Sequence, residues 1–158
     1  MRLRDVASDF LGEFIGTSLL VFFDCGSVIV SVIYSAFSGL FQVAAIWGIG
    51  VTLAIYATRH LSCAHLNPAV SVAMVLAGRM RIGKLAPYFA GQFLGAFVAA
   101  AVMFLLFSSS IASFENNKHI KRGTPESIKT AMLFGEFYPN PGNGLASVVS
   151  TAQAASAE

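Results

Sequence analysis

Apolar residues run almost unbroken through residues 10–33, 40–58 and 85–107, and polar or charged residues interrupt the chain between them. The first block is roughly 24 residues, enough to cross a hydrocarbon core of about 30 Å with some tilt. Ser8 and Asp9 stand where a cap for its start is expected. The other two blocks predict spanning helices by the same measure. Between them a much shorter apolar run, residues 69–76, follows Asn67-Pro68 and stops at Gly78-Arg79. Asn is a strong N-cap, and Pro suits the first helical position, where a missing N–H does no harm. A helix from Asn67 to Arg79 is about 12 residues, roughly 18 Å long, too short to span. Inside a membrane such an end is tolerated only where protein covers it or a watery cavity faces it. Residues 59–78 therefore predict a re-entrant loop and half-helix lining a pore.

The composition agrees: 56% of residues are hydrophobic and 11% charged, with a mean hydropathy of +0.70. A soluble domain carries about 25% charged residues. The net charge of +2 is less informative than where the basic residues fall. Arg2, Arg4, Arg59, Arg79, Arg81 and Lys84 share one side if the half-helix leaves by the side it entered, and the turn at residues 34–39 has no Lys or Arg. That bias predicts a cytoplasmic N-terminus. Residues 108–143, with Lys118, Lys121, Arg122 and Lys129 and punctuated by Pro125, Pro139 and Pro141, then form a long extracellular loop. Residues 144–158 are helix-compatible but only about 15 in number, roughly 22 Å, and are expected to open a fourth span in which the chain stops. The basic N-terminus precedes a block long enough to span, so it reads as the first span and not as a cleaved signal. Cys25 and Cys63 lie in apolar or re-entrant context and suggest no disulfide framework. Gly12-x-x-x-Gly16 and Gly91-x-x-x-Gly95 have the spacing that lets membrane helices approach closely, although membrane helices are glycine-rich in any case.

Candidate chemistry is sparse. His60-x-x-Cys63-x-His65 offers too few metal ligands and lacks a fourth. No nucleophile–base–orienter set, phosphate loop or aromatic–basic nucleic-acid surface is visible, so no enzyme, cofactor, metal or nucleic-acid partner is expected. Glu13 and Asp24 are ionisable residues inside a span, which is costly and points to function by default. Glu13 reads either as an acceptor that holds structure or as part of an acid relay. Asp24 reads as snorkelling to the outer vestibule or pairing with a partner elsewhere.

The stretch Ala64-His65-Leu66-Asn67-Pro68-Ala69-Val70 resembles the major intrinsic protein family, the aquaporins and aquaglyceroporins. Supporting stretches follow in that family's order: Leu11-Gly12-Glu13-Phe14-Ile15-Gly16-Thr17, Ile46-Trp47-Gly48-Ile49-Gly50-Val51, Gln92-Phe93-Leu94-Gly95-Ala96-Phe97 and Tyr138-Pro139-Asn140-Pro141. The resemblance implies an all-α membrane protein with an aquaporin-like right-handed helical bundle. This sequence supplies the first inverted repeat, three spans plus one re-entrant half-helix within residues 1–107, and part of a fourth span.

The resemblance also assigns roles. Asn67, with Pro68 and Ala69, would place a side-chain donor in the pore and aim the positive end of a helix dipole at the midplane, opposing cations and protons. Cys63, Ala64, His65 and Leu66, preceded by Ser62, would offer a ladder of backbone carbonyls to a solute. The family usually has Gly where Cys63 stands, so a φ above zero there is expected to be costly. His65 faces the inner channel and could titrate near its unperturbed pKa of about 6.5. Trp47, with Val51 in the same stretch, matches the outer constriction of glycerol-conducting members, whereas a lone membrane Trp is otherwise an interfacial anchor. Glu13 would hold the loop, with Glu158 as its counterpart in the second repeat. The expected function is passive flow of glycerol, small uncharged polyols and water across a plasma or inner membrane, in a homotetramer. A water-selective channel and a non-conducting half-channel or interaction module are the alternatives.

Overall fold

The structure is a computed structural model and describes residues 3–135. It comprises α1 (Leu3–Tyr34), α2 (Leu40–Thr58), α3 (Pro68–Leu76), α4 (Leu85–Asn117) and α5 (Ile128–Ala131), with 3-10 turns at Ile82–Lys84 and Pro125–Ser127 and no strand among the described residues. Tyr138-Pro139-Asn140-Pro141, the expected fourth span at residues 144–158 and Glu158 lie outside the described residues. Three helical stretches, Leu3–Tyr34, Leu40–Thr58 and Ile82–Asn117, are long and apolar enough to cross a membrane. Their outward faces suit that solvent: Leu40, Phe97 and Leu105 are 85%, 72% and 71% exposed, a placement that water would oppose.

Two boundaries differ from the sequence reading. α1 begins at Leu3, so Ser8 and Asp9 lie inside the helix and cap nothing. Ser8 Oγ donates instead to the carbonyl of Leu61 at 2.7 Å, and buried Asp9 forms an ion pair with Lys84 at 2.9 Å. α4 runs to Asn117, past Phe107 where the apolar run ends. Serines 108–110 do not stop it, because Ile111 and Glu115 continue a buried stripe at helical spacing. It ends where His119 takes φ 55° and Ile120 N–H reaches Glu115 O at 2.8 Å, a left-handed C-terminal closure.

The chain divides into two units between Leu106 and Phe107. In the second, Glu115 accepts Arg122 Nε at 3.0 Å and Thr130 Oγ1 at 2.9 Å, which ties the described part of the polar segment together. In the first, α1 and α4 cross at glycines. A Cβ on Gly91 would lie 2.6 Å from Phe10 O, and one on Gly95 would lie 2.5 Å from Phe14 O. Gly12 faces the loop between α2 and α3, and Gly16 faces both that loop and Thr58 of α2, so only Gly16 makes the helix–helix approach their spacing predicts. A Cβ on Gly12 would meet Ser62 N at 2.7 Å, and one on Gly16 would collide with the Leu66 side chain. This glycine pair makes room for the loop between α2 and α3.

Candidate functional site: a re-entrant loop anchored on Glu13

α2 ends at Thr58, whose carbonyl accepts the N–H groups of Leu61 and Ser62. The chain then runs without helix to Asn67. Asn67 is extended (φ −148°, ψ 128°), and its Oδ1 accepts Ala69 N–H at 2.8 Å. Pro68 occupies the first position of α3, whose nine residues extend about 14 Å. At the far end Gly78 takes φ +69° and Arg79 N–H returns to Met74 O at 2.9 Å, a stop that favours glycine.

Every N–H from Cys63 to Leu66 is met by a side chain. Cys63 N–H donates to Tyr88 Oη at 3.0 Å, and Ala64 N–H to Ser62 Oγ at 3.0 Å. The two oxygens of Glu13 take the next two, His65 N–H at 3.0 Å and Leu66 N–H at 2.7 Å. Glu13 also accepts Ser62 Oγ and Gln92 Nε2, each at 2.7 Å. A fully buried carboxylate thus receives four donors, three from the loop and one from α4, the satisfaction that burying a charge requires.

Ala64 and Leu66 adopt φ 48° and 55°, a left-handed conformation that costs on the order of 1 kcal/mol each for non-glycine residues. Cys63, where a positive φ would be costly, does not take one. The left-handed residues turn the successive N–H groups of 65 and 66 to one side, forming a concave nest for an anion, and Glu13 fills it. The carbonyls of residues 62–66 accept no hydrogen bond from the described residues. Donor and acceptor edges of this backbone are therefore segregated. Backbone carbonyls at membrane depth need water or another donor.

Below the loop, His65 Nδ1 lies 3.1 Å from Ser71 Oγ and its ring packs 5.0 Å from the Tyr88 ring. Ser71 Oγ donates to Asn67 O at 3.2 Å and accepts Gln92 Nε2 at 3.0 Å. Ala54, Ala64 and Leu66 form a small buried core with Leu19 and Leu20 against it.

The structure thus gathers Glu13, Cys63, Ala64, His65, Leu66, Asn67 and Pro68 around one loop. Asn67, Cys63 and Ala69 are exposed. Trp47 and Val51, both half-buried, lie apart on α2, and Trp47 Nε1 donates to Ser27 Oγ on α1 at 2.9 Å. Asp24 Oδ1 is buried and has no partner among the described residues. Both cysteines are free, and no group of three or more His, Cys, Asp or Glu side chains is placed to hold a metal among the described residues. Residues that sequence reasoning missed are Tyr88, Ser71 and Ser27. Only Ser71 carried a local signal, one helical turn beyond the capping Asn67.

Known proteins share this arrangement of sequence. The glycerol uptake facilitator protein of Haemophilus influenzae is 41% identical over 138 residues, covering 87% of this chain and 52% of its own length. That of Pseudomonas aeruginosa is 44% identical over 131 residues, covering 83% and 47%. The propanediol uptake facilitator of Salmonella typhimurium is 39% identical over 125 residues, covering 79% and 47%. The chain spans about half the length of the curated relatives it matches. Among solved structures, the aquaglyceroporin from Plasmodium falciparum superposes with a TM-score of 0.64 at 31% identity, covering 68% of this chain and 45% of that one. The Major intrinsic protein profile matches residues 2–139, which takes in α1 to α5 and the anchored loop, and the chain belongs to the major intrinsic protein family.

Proposed function

We propose that this chain forms part of the wall of a passive transmembrane channel for glycerol and other small uncharged polyols, with water as a second permeant. One observation carries the reading: the N–H groups of residues 63–66 are all held by side chains, while the carbonyls of 62–66 are left open. A row of open acceptors can replace the hydration shell of a hydroxylated solute as it passes. The relatives named as glycerol and propanediol facilitators support that class of permeant.

In this reading Asn67 does two jobs with one amide. Its oxygen caps α3 through Ala69, which leaves its N–H₂ group as a donor for the permeant. The positive end of α3 disfavours cations at the same place. Cys63, Ala64, His65 and Leu66 line the approach, with Pro68 and Ala69 setting the turn. Trp47 and Val51 lie on the α2 face that borders the wider path. Glu13 touches no permeant and holds the loop. Nothing here calls for covalent chemistry, so transport is driven by the solute gradient alone. The basic residues Arg2, Arg4, Arg59, Arg79, Arg81 and Lys84 support a cytoplasmic N-terminus in a cell membrane. A homotetramer is the assembly proposed.

The test is glycerol efflux from liposomes that hold the purified full-length protein. Efflux well above that of empty liposomes is expected, with Asn67→Ala reducing it by an order of magnitude or more, about 1.4 kcal/mol of barrier per factor of ten. Efflux equal to that of empty liposomes would reject the reading.

A further inference from the structure

We propose that Ser27 is a positioning residue for Trp47, fixing the indole ring and thereby the discrimination between glycerol and bulkier polyols. The proposal rests on the channel reading above and adds to it a residue outside the motif region.

Ser27 is a hydroxyl buried to 4% exposure within an apolar span, and both of its hydrogen-bonding directions are used. It donates to Asp24 O at 2.8 Å, one turn back on α1, and accepts Trp47 Nε1–H from α2 at 2.9 Å. The donation commits the hydroxyl proton to α1 and turns the oxygen lone pairs to the indole. Each bond in such a chain polarises the next.

The contact lies on an ordered seam. Gly16 faces Thr58, Phe23 Cβ lies 2.7 Å from where a Cβ of Gly50 would sit, and Ser27 meets Trp47, all in one antiparallel register of α1 against α2. The lower two are contacts of size and shape. The uppermost fixes a ring by a directional bond. The hydrogen bond to Ser27 is its polar tether. With the N–H committed to Ser27, Trp47 offers a passing solute an apolar ring and no donor.

An alanine at 27 would leave an indole N–H unpaired in low dielectric, and the ring would rotate to find another acceptor. The wall would then lose its fixed shape. Full-length wild type, S27A and S27T are reconstituted in liposomes, and efflux of glycerol and of a five-carbon polyol is followed. In S27A the five-carbon to glycerol flux ratio is expected to change by roughly threefold or more, the effect of losing one buried hydrogen bond, and S27T, which keeps the hydroxyl, is expected to restore it. Trp47 is the sole tryptophan of the sequence, so its emission maximum should shift in S27A and return in S27T. A helix clip with no role in selectivity would leave the flux ratio alone. An unchanged ratio in S27A, or an S27T ratio displaced as far as that of S27A, overturns the proposal while the channel reading stands. A wild type that passes no glycerol removes the channel reading and this proposal with it. Should S27A fail to insert, Ser27→Cys, of similar size but a weak acceptor, is expected to shift the ratio in the same direction, and no shift there overturns the proposal equally.

Discussion

Glu13 Oε2 accepts the backbone N–H of Leu66 at 2.7 Å across 53 residues of sequence. Through its other oxygen Glu13 also holds Ser62 and His65, so one carboxylate sets the conformation of the whole loop. Glu13→Gln keeps the shape but replaces one acceptor oxygen by a donor that faces donors. Each buried N–H left unpaired costs about 1–3 kcal/mol. The midpoint of thermal unfolding in detergent should fall, and glycerol flux should drop at least about tenfold, since 1.4 kcal/mol is a factor of ten. Glu13→Asp is expected to be intermediate, because it keeps the charge but shortens the reach. Unfolding and flux unaltered in Glu13→Gln would show that the loop holds itself.

The two glycine pairs make a second, steric prediction. The Cβ of Gly91→Ala would sit 2.6 Å from a backbone oxygen, that of Phe10, and backbone does not yield as a flexible side chain does. Overpacking of this kind costs about 1–3 kcal/mol. Gly83→Ala, in the turn before α4 with open space around its Cβ position, should lie within about 0.5 kcal/mol of wild type. Comparing the unfolding midpoints of the two variants checks the crossing of α1 and α4. Equal midpoints would contradict it.

Cys63 is exposed, and its own N–H is held by Tyr88, so its thiol is presented from a fixed backbone. In the proposed channel a small methanethiosulfonate reagent should attach there and reduce glycerol flux severalfold. Cys63→Ser should remain conducting after the same treatment. Flux measured before and after reagent decides it, with half-buried Cys25 as the internal comparison. Equal loss in wild type and Cys63→Ser would move the block to Cys25 and take Cys63 out of the wall.

Local chemistry was legible in the sequence, and partnership at a distance was not. Asn67-Pro68 announced the start of α3 because a side-chain cap and a proline at the first position act within three residues. The three apolar blocks announced α1, α2 and α4 for a similarly local reason, that hydrocarbon selects every residue of a span. Glu13 could be marked as anomalous by its charge, but its donors lie 49 to 79 residues away, and only the resemblance pointed to them. Tyr88 and Ser27 escaped notice because a Tyr or Ser in a membrane helix is unremarkable until its partner is known. The left-handed positions at Ala64 and Leu66 carried no signal of their own in the sequence, since what dictates φ there is the direction in which Glu13 draws the N–H groups of 65 and 66. The same limit applied to Ser8 and Asp9, which occupy plausible cap positions yet bond to Leu61 and Lys84.

That last pair supports a prediction about energetics. Asp9 is 6% exposed at its side chain and Lys84 32%, so the two halves of the ion pair are unequally desolvated. Asp9 Oδ2 accepts no hydrogen bond of good geometry, yet it lies 2.9 Å from the ammonium, and the charge contact is what satisfies it. Removing the partner of a buried charge costs more than removing both. Lys84→Ala should therefore destabilise the protein by about 1–3 kcal/mol, lessened from the fully buried case by the exposure of Lys84. Asp9→Ala should cost less, because the lysine it frees can reach solvent. The double variant should lie near Asp9→Ala and not near the sum of the two, a coupling of about 1 kcal/mol or more. Chemical or thermal unfolding of all four proteins completes the cycle. Additive losses would mean that the pair is close in space but contributes nothing to holding the start of α4 against α1.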